Sequence, residues 1–155
     1  MTAYEYLQKH VVSVIKPSTM GGVGYFAVRD ILVGEPIFEP WYGESGIYSI
    51  THDELFTLPK GLEKSIYETF TNEFFYRDKN GNPQEIKKEY GKIFFPLERG
   101  YHWIYICPMF INCGLNESNV QTTKFDSFAK INIKNGEELL SDYGLKFKFK
   151  PKNFI

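Results

Sequence analysis

The sequence predicts a strand-rich α+β fold of several small sheets with a helical insertion in the middle. Three observations predict it. Both ends carry short β-branched or alternating runs that stop at glycine, asparagine or proline. The middle holds one stretch with a helix start signal and an apolar stripe at helical spacing. The chain has 155 residues, 43% of them hydrophobic and 17% aromatic, which suits one domain that buries a core without metal or disulfide staples.

Val11 to Ile15 is a β-branched run that Pro17-Ser18 ends, so a first strand is expected there. Gly21-Gly22-Val23-Gly24 is a loop leading into a second strand, Tyr25 to Val28. Val33-Gly34-Glu35 is a turn, and Pro36 to Glu39 opens a third strand that Trp41-Tyr42-Gly43-Glu44 closes. Thr51 and Glu54 form the two ends of a capping box, which starts a short helix over 53–57. Leu62, Ile66 and Phe70 lie at i, i+4 and i+8, one face of a second helix. Asp78 to Pro83, with Asn80-Gly81 inside it, is a strong turn signal. Lys92 to Phe95 and Trp103 to Ile106 are strand candidates, as are Val120 to Thr123 and Ser127 to Ile131. Lys134-Asn135-Gly136 is a turn before Glu137 to Leu140. In the tail, Lys146, Lys148, Lys150 and Lys152 alternate with Phe147 and Phe149 and precede Phe154.

Composition excludes several classes. Eighteen basic residues face nineteen acidic ones, so there is no bulk positive field, and nucleic acid is not an expected partner. No apolar run approaches the roughly 20 residues that span a bilayer, and Met1 to His10 lacks the apolar region of a signal peptide. Membrane partners are therefore not expected, and a reducing, cytoplasmic compartment is. Two cysteines, Cys107 and Cys113, exclude a disulfide scaffold. His10, His52 and His102 are scattered with no second ligand at i+3 or i+4, so no metal site is expected.

Other features are ambiguous alone. Gly22-Val23-Gly24 lacks the third glycine of a dinucleotide fingerprint and precedes a strand. By itself it is a tight turn, or a place where backbone approaches a flat ligand. Cys113 is a buried thiol or a nucleophile without a supporting motif. Asn116-Glu117-Ser118 matches a glycosylation sequon that lacks secretory context. Tyr143 reads as a packed tyrosine with a bonded hydroxyl, and the aromatic excess as core or as a channel that attracts ammonium groups.

Taken in order, these segments resemble the SET-domain protein lysine methyltransferases, in a compact stand-alone form like those of viruses, phages or bacteria. Val12 to Glu35, with Gly22-Val23-Gly24-Tyr25-Phe26-Ala27, resembles the family's opening. Trp41-Tyr42-Gly43-Glu44 is similar to its Tyr-x-Gly-Glu element. Phe110-Ile111-Asn112-Cys113-Gly114, running on to Asn119, resembles Phe-x-Asn-His-Ser-Cys-x-Pro-Asn. Cys113 stands where histidine is usual and Gly114 where serine is, one residue is inserted before Asn119, and the proline is absent. Gly136 to Gly144 resembles the closing Glu-Leu-x-x-Asp-Tyr-Gly motif.

The resemblance implies one domain with SET parts at 11–50 and 103–144, a variable insertion at 51–102 and a tail at 145–155 that completes the site. It implies S-adenosylmethionine as methyl donor, S-adenosylhomocysteine as product and no metal. The substrate would be a lysine of a protein or peptide, as in histone-lysine methyltransferases. Tyr143 would be catalytic. Gly22, Val23, Gly24, Tyr25, Asn112, Cys113 and Phe147 would contact the cofactor. Trp41, Tyr42, Tyr105, Phe110, Ser141 and Phe149 would line the lysine channel, with Ser141 leaving room for more than one methyl group. A homodimer could cover exposed strands, and a viral protein would act in the host cytoplasm or nucleus. The alternatives are a non-catalytic SET-like peptide-binding module and a β-rich interaction protein.

Overall fold

The computed structural model describes residues 1–70, 75–77, 80, 83–85, 91–103, 111–123 and 126–142. In chain order these form α1 (Ala3–Lys9), β1 (Ser13–Pro17), β2 (Val23–Ala27), β3 (Gly46–Thr51), α2 (His52–Thr57) and α3 (Lys60–Phe70). There follow β4 (Phe75–Arg77), β5 (Pro83–Glu85), β6 (Lys92–Leu97), β7 (Asn112–Cys113), a 3-10 turn at Leu115–Glu117, β8 (Val120–Thr122), β9 (Ser127–Ala129) and β10 (Leu140–Ser141). The result is an α+β fold rich in short strands, as the punctuation of the sequence predicts. It divides into two compact units, one of residues 1–9 and 40–105, the other of residues 10–39 and 106–155.

The first unit is built on an antiparallel β3–β6 ribbon with Tyr48 opposite Phe95 and Ile50 opposite Ile93. Along β6, Ile93, Phe95 and Leu97 are buried while the residues between them are more open, the period-two pattern of a one-sided strand. Helix α3 adds the predicted stripe of Leu62, Ile66 and Phe70. Phe70, Phe95 and Trp103 pack with centroids 5.9 to 6.3 Å apart. The Thr51–Glu54 capping box forms in full, with Thr51 both the last residue of β3 and the cap of α2. Helix α1 was not expected, yet it starts on the same device. The Thr2 hydroxyl accepts from Glu5 N at 3.2 Å, and the Glu5 carboxylate accepts from Thr2 N at 2.7 Å. Its Tyr6 and Leu7 are buried, and the Tyr6 hydroxyl accepts from Trp103 N at 3.1 Å. The turn signal near Asn80 joins an antiparallel β4–β5 pair.

The second unit holds the β1–β2 hairpin, with Ser13 opposite Ala27 and Pro17 opposite Val23. It also holds a four-stranded sheet in the order β7-β10-β8-β9. Strand β10 runs parallel to both β7 and β8 and lies between them, although only residues 114–119 connect those two. Val12, Tyr25, Ala27, Ile31, Ile37, Ile111, Val120, Ala129, Ile133 and Leu139 form its core. The expected third strand at 36–39 is instead two isolated bridges, Pro36 with Phe128 and Phe38 with Val11. Pro36 has no N–H to give a ladder, and the chain changes partner after two residues, so no continuous strand forms. The turn before it is held by Glu35, whose carboxylate accepts from Leu32 N and both Arg29 guanidinium nitrogens. The Arg29 contact, with the Leu32 N–H, lowers the Glu35 pKa.

Candidate functional site

In the second unit, three segments far apart in sequence meet at one carboxylate. The turn after β1 is closed by Ser18 N donating to Gly22 O at 3.0 Å and Gly21 N to Ser18 O at 3.1 Å. The Ser18 hydroxyl accepts from Met20 N at 3.1 Å and donates to Glu138 Oε2 at 2.9 Å. The other carboxylate oxygen, Oε1, accepts from Asn112 Nδ2 at 2.7 Å. That same amide nitrogen donates to Val23 O at 3.1 Å. Glu138 is half-buried, and among the described residues no Lys, Arg or His makes an ion pair with it.

Main-chain bonds deliver Glu138 to this position. Ala27 N donates to Glu137 O at 2.9 Å and Leu139 N to Tyr25 O at 2.8 Å, so the closing segment lies along β2. Residue 138 bridges Phe26 between those bonds. The buried Asn119 then grips the chain on both sides of Leu139. Its Nδ2 donates to Glu138 O and its Oδ1 accepts from Leu140 N, each at 2.8 Å.

Two glycines of this unit lie at close approaches. A methyl group on Gly24 would collide with Glu138 Oε1 and lie 3.0 Å from Asn112 Nδ2. The carboxylate end of Glu138 occupies the space that glycine leaves there. A methyl on Gly114 would lie 2.7 Å from the Leu140 Cβ and 3.0 Å from Ser118 N. The serine usual at this place in the resembled motif would not fit against β10.

The remaining candidates fall as follows. Gly22 closes the turn, and Val23 is partly exposed with its carbonyl on Asn112. Tyr25 is buried, edge-on to Phe38 at 4.8 Å. Cys113 is a half-buried free thiol on β7, opposite Ser141. Ser141 is buried, with its hydroxyl 3.3 Å from that of Thr122. Trp41 and Tyr42 belong to the first unit. Trp41 is buried between Tyr6 and Tyr48, its indole N–H donating to Glu44 O at 2.9 Å, whereas Tyr42 is exposed. Tyr105, Phe110, Tyr143, Phe147 and Phe149 lie outside the described residues, as do Cys107, the strand candidate beyond Trp103 and the lysine-rich tail.

Sequence reasoning passed over Ser18, Asn119 and Glu138 as site residues. A signal for Glu138 existed. It is a carboxylate that immediately precedes the buried Leu139, whereas Glu137 already has a task, accepting from Lys134 N. Among the described residues no three His, Cys, Asp or Glu side chains cluster as metal ligands, and no helix is long and apolar enough to cross a membrane. His102, in the first unit, is buried, and that burial lowers its pKa to about 4 against a small opposing effect of a backbone hydrogen bond at Trp103.

No protein-family model and no curated protein sequence matches the chain. Among solved structures, the chain is similar to a Plasmodium falciparum protein described as a candidate histone methyltransferase. The identity is 21% and the TM-score 0.36, over 87% of this chain and 95% of that one. A likeness this shallow leaves function to be argued from the site.

Proposed function

We propose that the protein binds S-adenosylmethionine beside Ser18, Asn112 and Glu138 and transfers its methyl group to a lysine side chain of a protein substrate. One observation supports the reading above all. The opening turn, Asn112 and the closing segment, three of the four places where the sequence resembles SET-domain methyltransferases, converge on the Glu138 carboxylate. The residues present also fit the cofactor's charge. A half-buried carboxylate with no basic partner among the described residues attracts a cation, and S-adenosylmethionine carries both a sulfonium and an α-ammonium group.

When bound, the cofactor supplies an electrophilic methyl group on a good leaving group. The chain's own task is then to orient the lysine amine and favour its neutral form, the proton leaving to water. A lysine amine has an ordinary pKa near 10.4 and must be neutral to attack. An aromatic channel disfavours the ammonium form and lowers that pKa. The resemblance gives this channel to Phe110, Ser141 and Phe149, and gives the Tyr143 hydroxyl the task of aiming the amine lone pair. Holding nucleophile and methyl carbon in line supplies most of the rate.

The test is titration calorimetry of wild type and Asn112→Ala with S-adenosylmethionine. The reading expects binding that the substitution weakens by more than about 1 kcal/mol, the size of a lost hydrogen bond in a partly buried site. Tyr143→Phe should bind the cofactor as well as wild type and lose most methyl transfer to a lysine-bearing protein. Absence of cofactor binding by wild type, alone and with added peptide, would overturn the enzyme reading, and retained peptide binding would identify a non-catalytic module instead.

A further inference from the structure

Asn112 has three hydrogen-bonding positions on its side chain, two N–H and one carbonyl oxygen with its lone pairs. Both faces that meet its nitrogen are acceptors, the Val23 carbonyl at 3.1 Å and Glu138 Oε1 at 2.7 Å. Turning the amide over would set its oxygen against those two oxygens, so the chemistry of the neighbours fixes the orientation. Among the described residues, Asn112 Oδ1 accepts no hydrogen bond. The Glu138 carboxylate is itself held from its other oxygen by Ser18, whose hydroxyl also receives Met20 N. A chain of bonds thus runs from the glycine turn through Ser18 and Glu138 to Asn112. Gly24, which has no Cβ, leaves the carboxylate the room to lie there.

From this we infer that Glu138 is a positioning residue that locks the Asn112 amide with its carbonyl oxygen as the free acceptor, so that the site selects a ligand bearing an N–H donor at that point. The inference rests on the proposed cofactor reading and deepens it. The selected donor is the α-ammonium of the amino-acid end of the cofactor. With Glu138 unable to reach Asn112, the amide keeps only the longer bond to the Val23 carbonyl at 3.1 Å, so its turned form becomes populated and the site distinguishes far less well between a ligand with that donor and one without it. A role in folding alone would weaken both ligands equally.

The experiment compares two probes on the full chain, S-adenosylhomocysteine and its analogue in which hydrogen replaces the α-amino group. Wild type should prefer the amine-bearing probe by about tenfold or more, the range for a hydrogen bond to a charged group. Glu138→Asp keeps the charge but shortens the reach by one methylene, and should reduce the preference to within about threefold. Glu138→Gln keeps the reach, because its carbonyl accepts from Asn112 and its amide donates to the Ser18 hydroxyl; it gives up only the charge, so it should bind the amine-bearing probe less tightly than wild type does and still prefer it more strongly than Glu138→Asp does. A Glu138→Asp protein with the wild-type preference, or one weakened equally for both probes, would overturn the inference.

A second readout needs no ligand. The Asn112 side-chain NH2 resonances, identified by their loss in Asn112→Asp, should shift in Glu138→Asp and stay near wild type in Glu138→Gln. Failure of wild type to bind either probe would count against the proposed function alone, because these resonances would still decide the positioning role. Unchanged resonances in Glu138→Asp would overturn it.

Discussion

Gly24→Ala tests the centre of the site most directly. Gly24 lies in β2, and the added methyl would meet the end of the Glu138 side chain rather than rigid backbone. The carboxylate can therefore swing aside, and the cost is what it leaves behind. It would give up the bonds from Ser18 at 2.9 Å and Asn112 at 2.7 Å. Bonds to a charged group contribute about 1.5–3 kcal/mol each when buried. Glu138 is only half-buried, so water replaces part of that, and a combined loss of about 2 kcal/mol follows. Alanine also restricts the unfolded chain, which returns about 0.5 kcal/mol. The net destabilisation expected from urea unfolding near neutral pH is about 1.5 kcal/mol. In a Glu138→Ala background only the Asn112 amide, 3.0 Å from the added methyl, still has to give way, so adding Gly24→Ala should cost about 0.5 kcal/mol or less. The double-mutant cycle should therefore show a coupling of about 1 kcal/mol or more. An alanine at 24 that costs the same in both backgrounds, or nothing in either, would refute the argument that Glu138 dictates this glycine.

Two further outcomes follow from the first unit. His102 has a folded pKa of about 4, below its unfolded value near 6.5, so the unfolded chain binds the extra proton between those values and stability falls as pH falls through that window. Linkage gives a loss of about 2 kcal/mol between about pH 7.5 and pH 5, which His102→Gln should lack; equal pH dependence in both proteins would show that another group is responsible. Thr51→Ala removes the cap that accepts from Glu54 N at 3.1 Å and should lower stability by about 1 kcal/mol, with a matching fall in thermal midpoint; Thr51→Ser should restore most of it.

How far the sequence disclosed this molecule depended on the range of the interaction. Local rules worked where a few neighbouring residues decide the outcome. The Thr51–Glu54 box and the Leu62, Ile66, Phe70 stripe both formed as expected. The box at Thr2 and Glu5 obeys the same local rule. Strand β3 escaped because its burial is weak until Ile50, so it shows no clear alternation. Pro36 to Glu39 looked like a strand because its residues favour one, yet strand formation depends on a partner ladder that the segment itself does not specify. The site was the least legible part. Ser18 and Glu138 are 120 residues apart, and no periodicity reports that kind of pairing. Motif order brought Asn112 and the closing segment into view, whereas the hydrogen bonds that give Glu138 its place required the fold.

The position of β10 between β7 and β8 has a consequence for biosynthesis. Those two strands are joined by six residues, 114–119, but each is paired with β10. A nascent chain that has released β7 and β8 still holds both with unmet main-chain groups until Leu140 and Ser141 emerge from the ribosome. Glu138 leaves the exit tunnel only just ahead of them. The sheet therefore stays open until residues 140 and 141 are available, with strand edges that invite chaperones or wrong partners. The bonds that tie Glu138 to Ser18 and Asn112 close as β10 slides between its two neighbours.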